Sequence, residues 1–591
     1  MGNFTSTEKA EGKEVNAQQE LDEDYLFVAA IDLGTTYSGY SFSSRDDHKS
    51  NPNSHHLRQW RDPSNNHVSN KTSTCILFDP KGEFNSFGFE AEKKFYHLAE
   101  DNKHEDWYFF KSFKMQLYKK NLDDLRDFQL TAQNGKTMYG LNVFSQSIRY
   151  LKDAFLRHFE EAGFKCEKQD IRWVLTVPAI WPEEAISFMR KAAEKAGIIE
   201  QQMKICLEPE AATIFTYESE SKKHLFHPGR KFIVVDAGGG TVDVTSYEVL
   251  KGKGLKELFP PSGGDWGGNR VNEEFLSLLG DLFGTDALKE FRQSNSSEYH
   301  ELEKSIEISK GMLKDDDDDT DFTLKIPGAL WNMDRHRSKN NNKSNEITRE
   351  GETYRIEQRT DKIRFSTKLA KACFKQPIYC ILQHLRSLLN CSTGKGIELI
   401  IMAGGFSNSM ILLDAVKKAF PDVQVVTPHF QEGEAAWSVL RGAVYFGHGS
   451  NLIEYRRCKK TYGFEVTLPY DVKKHGERQP VKVNGENRCY KVFKKIIEKN
   501  EPLKENETRT ETVGIEPDWD GNLQFYASDK KNPVFTDEES SWMFGKIHVD
   551  KPFPKKSGLE IKIFFGMSEI EFEVTNPDNG IKVKKRLLFD I

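Results

Sequence analysis

Phe232-Ile233-Val234-Val235-Asp236-Ala237-Gly238-Gly239-Gly240-Thr241-Val242-Asp243-Val244 decides how the rest of the chain is read. An apolar run that ends in an acidic residue, turns through glycine and returns through apolar positions predicts a strand hairpin. The same outline stands earlier: Phe27-Val28-Ala29-Ala30-Ile31 runs into Asp32-Leu33-Gly34-Thr35-Thr36-Tyr37-Ser38-Gly39-Tyr40. Two further apolar strands lead into helices. Trp173-Val174-Leu175-Thr176-Val177-Pro178 precedes an amphipathic stretch from Glu183 to Ala196 that Gly197 ends, and Glu398-Leu399-Ile400-Ile401-Met402 passes through Ala403-Gly404-Gly405-Phe406-Ser407-Asn408 into a helix reaching Ala419. Strands alternating with helices predict an α/β architecture, and the repeated hairpin predicts a duplicated domain with a cleft between its halves.

The residue types in these turns point to phosphate chemistry. Small residues let backbone N–H groups converge on phosphate oxygens, and Thr35, Thr36 and Thr241 add hydroxyl donors. Asp32, Asp236 and Asp243 would repel a polyphosphate unless a divalent cation stood between them, so the pattern predicts Mg²⁺ with a nucleoside triphosphate. A single glycine turn is an ordinary turn; acidic residues at the ends of two buried strands are not required by turns. No GxxxxGK[ST] stretch and no protein-kinase motif set occurs.

The remaining sequence bounds the reading. The 591 residues carry 84 basic and 90 acidic side chains, a net charge of −6, which gives no basic footprint for nucleic acid. No apolar run is long enough to span a bilayer and no signal peptide opens the chain, so the expected location is cytoplasmic. Eight cysteines without CxxC spacing read as reduced thiols. Met1-Gly2-Asn3-Phe4-Thr5-Ser6 fits the N-myristoylation pattern at Gly2, a weak membrane attachment on its own and one that the acidic residues after it would oppose. Residues 1–24 read as a disordered acidic tail, and 314–351, with Asp315 to Asp319 in succession, as an exposed polar insertion loop. From 451 alternating segments such as Leu559-Glu560-Ile561-Lys562-Ile563-Phe564-Phe565 predict a separate all-β domain running to 591.

Ile31-Asp32-Leu33-Gly34-Thr35-Thr36-Tyr37-Ser38, Val177-Pro178-Ala179, Glu208-Pro209-Glu210-Ala211-Ala212, the Asp236–Asp243 stretch and Ala403-Gly404-Gly405-Phe406-Ser407 resemble, in order and approximate spacing, the ATPase domain of the 70-kDa heat-shock chaperones. The insertion, Phe113-Lys114-Met115 and Trp181-Pro182 are most similar to the divergent 12A/12B-like branch. The resemblance covers residues 27–450 and implies an actin-like, two-lobed ATPase followed by a small β-sandwich. It also implies roles. Asp32, Asp236 and Asp243 would hold Mg²⁺ mostly through water, and Glu208 would sit near the metal. Gly34, Thr35, Thr36, Tyr37, Gly238, Gly239, Gly240 and Thr241 would bind the phosphates. Glu307 and Lys310 would touch ribose and adenine, and Gly404, Gly405 and Ser407 would pack against the adenosine. A phosphate-contacting lysine would be Lys114 or Lys111.

Departures from the family pattern accompany the matches. Gly311 and Asn408 stand where the family has arginines at the base, and Gly447-His448-Gly449-Ser450-Asn451-Leu452-Ile453-Glu454-Tyr455-Arg456-Arg457 replaces an acidic, leucine-rich linker. The C-terminal strands resemble a peptide-binding sandwich without its helical lid. The resemblance implies a chaperone-like protein that hydrolyses ATP slowly and binds a protein or peptide on the β-domain. The altered linker and lidless groove allow an alternative, a nucleotide-gated adaptor with little turnover. A metabolite kinase of the actin-like superfamily is a remote third.

Overall fold

The computed structural model describes residues 25–63, 68–118, 125–219, 221–252, 254–314, 321–337, 346–349, 351–359, 361–428, 437–450, 452–483, 485–505, 507–515, 520–549, 557–565, 570–576, 580 and 582–586. The N-terminal tail with Gly2, and the aspartate run 315–319, lie outside the described residues.

Both sequence hairpins form, each at the centre of its own sheet. In the first sheet Phe27–Leu33 pairs antiparallel with Tyr37–Ser44, with Asp32 opposite Gly39. Parallel partners follow on the other side, Ile171–Val177 and then Met203–Leu207. In the second sheet Lys231–Ala237 pairs antiparallel with Val242–Val249, with Asp236 directly opposite Asp243. Its parallel partners are Ile397–Ala403 and Gln424–Val426. Central strands such as Val28 to Ile31 and Phe232 to Val235 are buried on both faces, as parallel sheets covered by helices require. Each unit has a separate apolar core.

Two helices join the units. Glu208–Glu218 and Ser438–Gly447 pack in a third core that takes Val28, Ala30 and Val174 from the first sheet and Ala403 from the second. They cross at backbone distance because Gly442 carries no side chain; a Cβ there would overlap the Ala211 carbonyl. This crossing places the start of Glu208–Glu218 between the two hairpins.

Two sequence expectations need correction. The described residues of 314–351 are not an exposed loop throughout. Asp321–Lys325 is a strand whose Phe322 and Leu324 alternate into the second core, Gly328–Arg337 is a helix that buries Leu330 and Trp331, and Glu346–Arg349 is a further strand. These strands complete a four-stranded sheet with Glu352–Gln358 and Lys362–Ser366. Short apolar alternation flanked by dense polar runs hid the pattern. The boundary at 450 also shifts, because Ile453–Arg457 pairs parallel with Leu255–Gly264, and Pro502–Lys504 pairs with Ile453–Arg457. Both strands therefore belong to the seven-stranded second sheet.

The remaining C-terminal strands form one five-stranded and one four-stranded antiparallel sheet around a shared core. Phe525 of the first and Phe572 of the second meet with ring centroids 4.2 Å apart. Tyr462 donates a 2.8 Å hydrogen bond to Glu183, and Lys459 donates to the carbonyls of Ala179 and Trp181, which ties this end to the first unit. All eight cysteines are free. Among the described residues no helix is long and apolar enough to cross a membrane.

Candidate functional site

The hairpin turns of the two sheets meet. A Cβ on Gly239 would overlap Thr36 Oγ1, and one on Gly240 would lie 2.7 Å from Thr35 Oγ1 and collide with Met115. Only glycine permits this approach. The carbonyls of Gly238, Gly239 and Gly240 accept from the amides of Gly268, Asn269 and Gly267, at the start of the helix Gly268–Phe283. Gly238 N–H closes the turn on Thr241 O at 2.9 Å. Among the described residues nothing accepts from Gly239 or Gly240 N–H, so two amides of the turn keep donor capacity beside the helix N-terminus. Gly34 is required locally, since a Cβ there would overlap the Tyr37 carbonyl. Tyr37 itself is partly exposed.

Below the turns the carboxylates converge. Thr176 Oγ1 donates to Asp32 Oδ1 at 2.9 Å. Asp243 accepts from Ile180 N–H at 2.8 Å and from the Thr241 hydroxyl, so the segment after Val177-Pro178-Ala179 reaches across from the first unit to the second. Asp236 lies against Gly404, whose φ of +82° and missing Cβ leave room for the carboxylate. Glu208 opens its helix and accepts from Lys114 Nζ at 2.6 Å.

Lys114 is 2% exposed and also stands 5.4 Å from the Trp181 ring. Lys111 points elsewhere, to Glu303 at 2.7 Å and His300 at 3.0 Å. The structure thus puts Lys114, and not Lys111, among the carboxylates.

One residue of the cluster was missed in the sequence. Lys71 Nζ lies 2.5 Å from Asp32 Oδ2, with the lysine side chain 14% and the aspartate 6% exposed. Its only sequence signal is Gly39 on the return strand. Tyr37 and Ser38 pair with Ser73 and Thr72, which brings Lys71 beside Gly39, itself opposite Asp32.

Four carboxyl groups therefore face two ammonium groups in a buried site. The consequences are electrostatic. Burial raises the Asp32 carboxyl, but Lys71 and Lys114 outweigh it and hold the group below its usual range. Glu208 is pushed up to about 7 by burial, which Lys114 opposes and Asp32 and Asp243 reinforce. Asp236 is driven well above the usual range by burial and then by Glu208, Asp243 and Asp32. Fully ionised, four carboxylates would exceed the charge of two lysines, and a divalent cation would offset that excess in place of protons. Among the described residues no group of three or more acidic, histidine or cysteine side chains is placed to hold a metal ion directly.

A second group of residues lies beside the first. Lys310 is buried and bonds Gly268 O at 3.0 Å, Asn272 Oδ1 at 2.8 Å and Glu307 at 2.6 Å. Phe406 packs close to Gly268. Gly405 is exposed with open space around its Cα, whereas Ser407 is buried and donates to Ala403 O. Gly311 and Asn408 are exposed, and a side chain at Gly311 would meet nothing.

No protein-family model matches the chain. Among curated proteins it is 29% identical to human heat shock 70 kDa protein 12A over 93% of its length and 89% of that protein. It is 29% identical to human heat shock 70 kDa protein 12B over 82% of its length and 77% of that protein. At greater distance it is 22% identical to the chaperone protein dnaK of Cyanidium caldarium, over 74% of its length. The paired glycine hairpins and the carboxylates they bring together accompany similarity, over nearly the whole chain, to the heat shock 70 kDa proteins 12A and 12B.

Proposed function

We propose that the chain is a nucleotide-dependent, chaperone-like protein that takes ATP or ADP with Mg²⁺ between its two α/β units, hydrolyses ATP slowly and offers its C-terminal strands to a protein or peptide. The observation that carries this reading is the meeting of two hairpin turns from separate sheets over four buried carboxyl groups and two lysines. Free amides of Gly239 and Gly240, with the hydroxyls of Thr35, Thr36 and Thr241, would hold phosphate oxygens. Lys114 would lie against the transferred phosphoryl, where catalysis is mostly positioning and electrostatics. Glu208, held up to about 7, would exchange a proton with the attacking water. The chemistry Mg²⁺ supplies when bound is neutralisation of phosphate charge. Glu307 and Lys310 would face the ribose and base, with Gly404, Gly405 and Ser407 opposite. In this reading residues 25–450 form the actin-like ATPase unit, which borrows Ile453–Arg457 and Pro502–Lys504, and the later strands form a β-sandwich.

The test is calorimetric titration with ADP in the presence of Mg²⁺, followed by single-turnover release of phosphate from labelled ATP by wild type, Asp236→Asn and Thr241→Ala. Tight Mg²⁺-dependent binding and phosphate release that either substitution slows are expected. Absence of binding would overturn the reading. Binding with equal background release from all three proteins would replace the ATPase with a nucleotide-gated adaptor.

A further inference from the structure

Lys71 is built into the carboxylate cluster by the sheet. Strand Thr72–Ser73 runs beside Tyr37–Ser44 with Thr72 opposite Ser38, so Lys71, the residue before the strand, falls beside Gly39, which is itself opposite Asp32. The lysine reaches Asp32 by passing over Gly39; a Cβ at Gly39 would lie 3.1 Å from Lys71 Cγ and 3.0 Å from Asn70 O. Each oxygen of Asp32 then has a protein partner, with Lys71 on Oδ2 at 2.5 Å and Thr176 on Oδ1 at 2.9 Å. The ammonium also acts on Asp236 in the other sheet. Its opposite number, Lys114, holds Glu208. A hydrated cation that used Asp32 would have to share that carboxylate with an ammonium already in contact, in a buried place where charge interactions are strong.

We propose that Lys71 is a tethered counter-ion for Asp32 that competes with the divalent cation and sets the metal concentration at which the site loads. The proposal rests on the nucleotide reading above and adds to it a cation-responsive positioning residue. In the absence of metal the Lys71–Asp32 pair compensates one of the four acids, as Lys114 does Glu208, and so stabilises the empty protein. As metal rises the pair yields its carboxylate to the cation's water shell. The site is thereby graded by metal supply instead of being permanently loaded.

The experiment uses the full chain and follows thermal unfolding, with ADP at fixed concentration, as Mg²⁺ is titrated from EDTA upward. Wild type, Lys71→Met and Lys71→Arg are compared. Lys71→Met should lower the Mg²⁺ midpoint by about tenfold, the size expected for removing one competing unit charge at this range. It should also melt below wild type in EDTA, with the gap closing at saturating Mg²⁺. Lys71→Arg, which keeps the charge, should stay near the wild-type midpoint. Should Lys71→Met fold poorly, Gly39→Ala provides the second arm: it crowds Lys71 away from Asp32 and should lower the midpoint with the lysine still present. A Lys71→Met midpoint equal to wild type, or a melting deficit of the same size at every Mg²⁺ concentration, would overturn the proposal and leave nucleotide binding standing. A wild-type protein that gives no ADP-dependent shift at any Mg²⁺ concentration would overturn both.

Discussion

Lys111 and Lys114 stand three residues apart and serve different parts of the molecule. Lys111 ends a strand and meets the helix Ser296–Gly311, whereas Lys114, in the 3₁₀ turn Phe113–Leu117, is sealed against Glu208. Lys114→Ala should slow phosphate release about 10²- to 10³-fold, the usual cost of one preorganised electrostatic contact, in a single-turnover assay at saturating ATP. Lys111→Ala should leave that step nearly unchanged. Equal loss in both would show that neither lysine acts on the phosphoryl group.

The histidines around His48 give a pH dependence with a definite sign. His55 is held down at about 3 by burial and then by Arg441, His48 and His56, and His448 at about 3 by burial and then by His48, His55, Arg172 and Arg45. His448 also shares a 2.8 Å hydrogen bond with Ser43 and stacks on His48. Both rings are neutral in the folded chain yet protonate below about 6.5 when it unfolds. Stability is therefore fully present above that pH and is lost as pH falls from 6.5 toward 3, at up to about 1.4 kcal/mol per pH unit for each ring. Urea unfolding at pH 7 and pH 5 should show a smaller acid loss in His55→Gln/His448→Gln than in wild type.

At the scale of elements, the strand Ile453–Arg457 shows what its sequence hid. It lacks a leucine-rich pattern, and it docks through charge. Arg456 pairs with Glu210 at 2.7 Å, and Arg457 N–H donates to Glu257 at 2.6 Å. Both acids are nearly fully buried, and Glu257 is pushed up to about 7 by burial against the pull of Arg456. Only Ile453 contributes a buried apolar side chain. Removing one partner of a buried pair typically costs about 3–5 kcal/mol, more than so short a strand returns through pairing. Arg456→Met should therefore release the strand, seen as fast hydrogen exchange at 453–457 and 502–504, and Glu210→Gln in the same chain should restore part of the protection. Unchanged exchange in Arg456→Met would mean that the backbone ladder alone holds it.

That strand also marks the limit of what could be read from residues. The hairpins were legible because buried strands write themselves as apolar runs and glycine turns as small residues, and Asp32, Asp236 and Asp243 followed from their place at strand ends. Glu208 and Lys114 were legible by resemblance, but choosing Lys114 over Lys111 needed the turn at Ser112, which has φ of +52°. Lys71 could not be found because its position depends on a strand pairing 39 residues away from Asp32 in the chain. The docking of Ile453–Arg457 was hidden for a related reason: its acidic partners are far off in sequence.

At the scale of the whole molecule, the two α/β units are also bridged by a polar network at a distance from the crossing helices. Lys304 reaches Glu92 at 3.0 Å and Asp62 at 3.2 Å, Lys111 reaches Glu303, and His300 stacks on Tyr96 with centroids 4.7 Å apart. His300, Glu303 and Lys304 share one helix with Glu307 and Lys310. Opening the units must break these pairs, which lie between the two cores. Lys304→Ala combined with Lys111→Ala should speed release of a fluorescent ADP analogue about tenfold, as expected for loss of roughly 1.4 kcal/mol of closure, without altering the Mg²⁺ midpoint. Stopped-flow displacement measures this, and an unchanged rate would locate the gate elsewhere.

The strand pairing of Leu255–Gly264 with Ile453–Arg457, itself covered by Pro502–Lys504, bears on how the chain is made. During synthesis that edge emerges about 190 residues ahead of its partner, a wait of about 10–40 s at ordinary elongation rates. Throughout that interval the nascent sheet presents an open hydrogen-bonding rim, the kind of surface that recruits other chains. The chain thus passes through a vulnerable period on the ribosome, and any transcript ending between residues 264 and 453 would encode a product with that rim exposed for good.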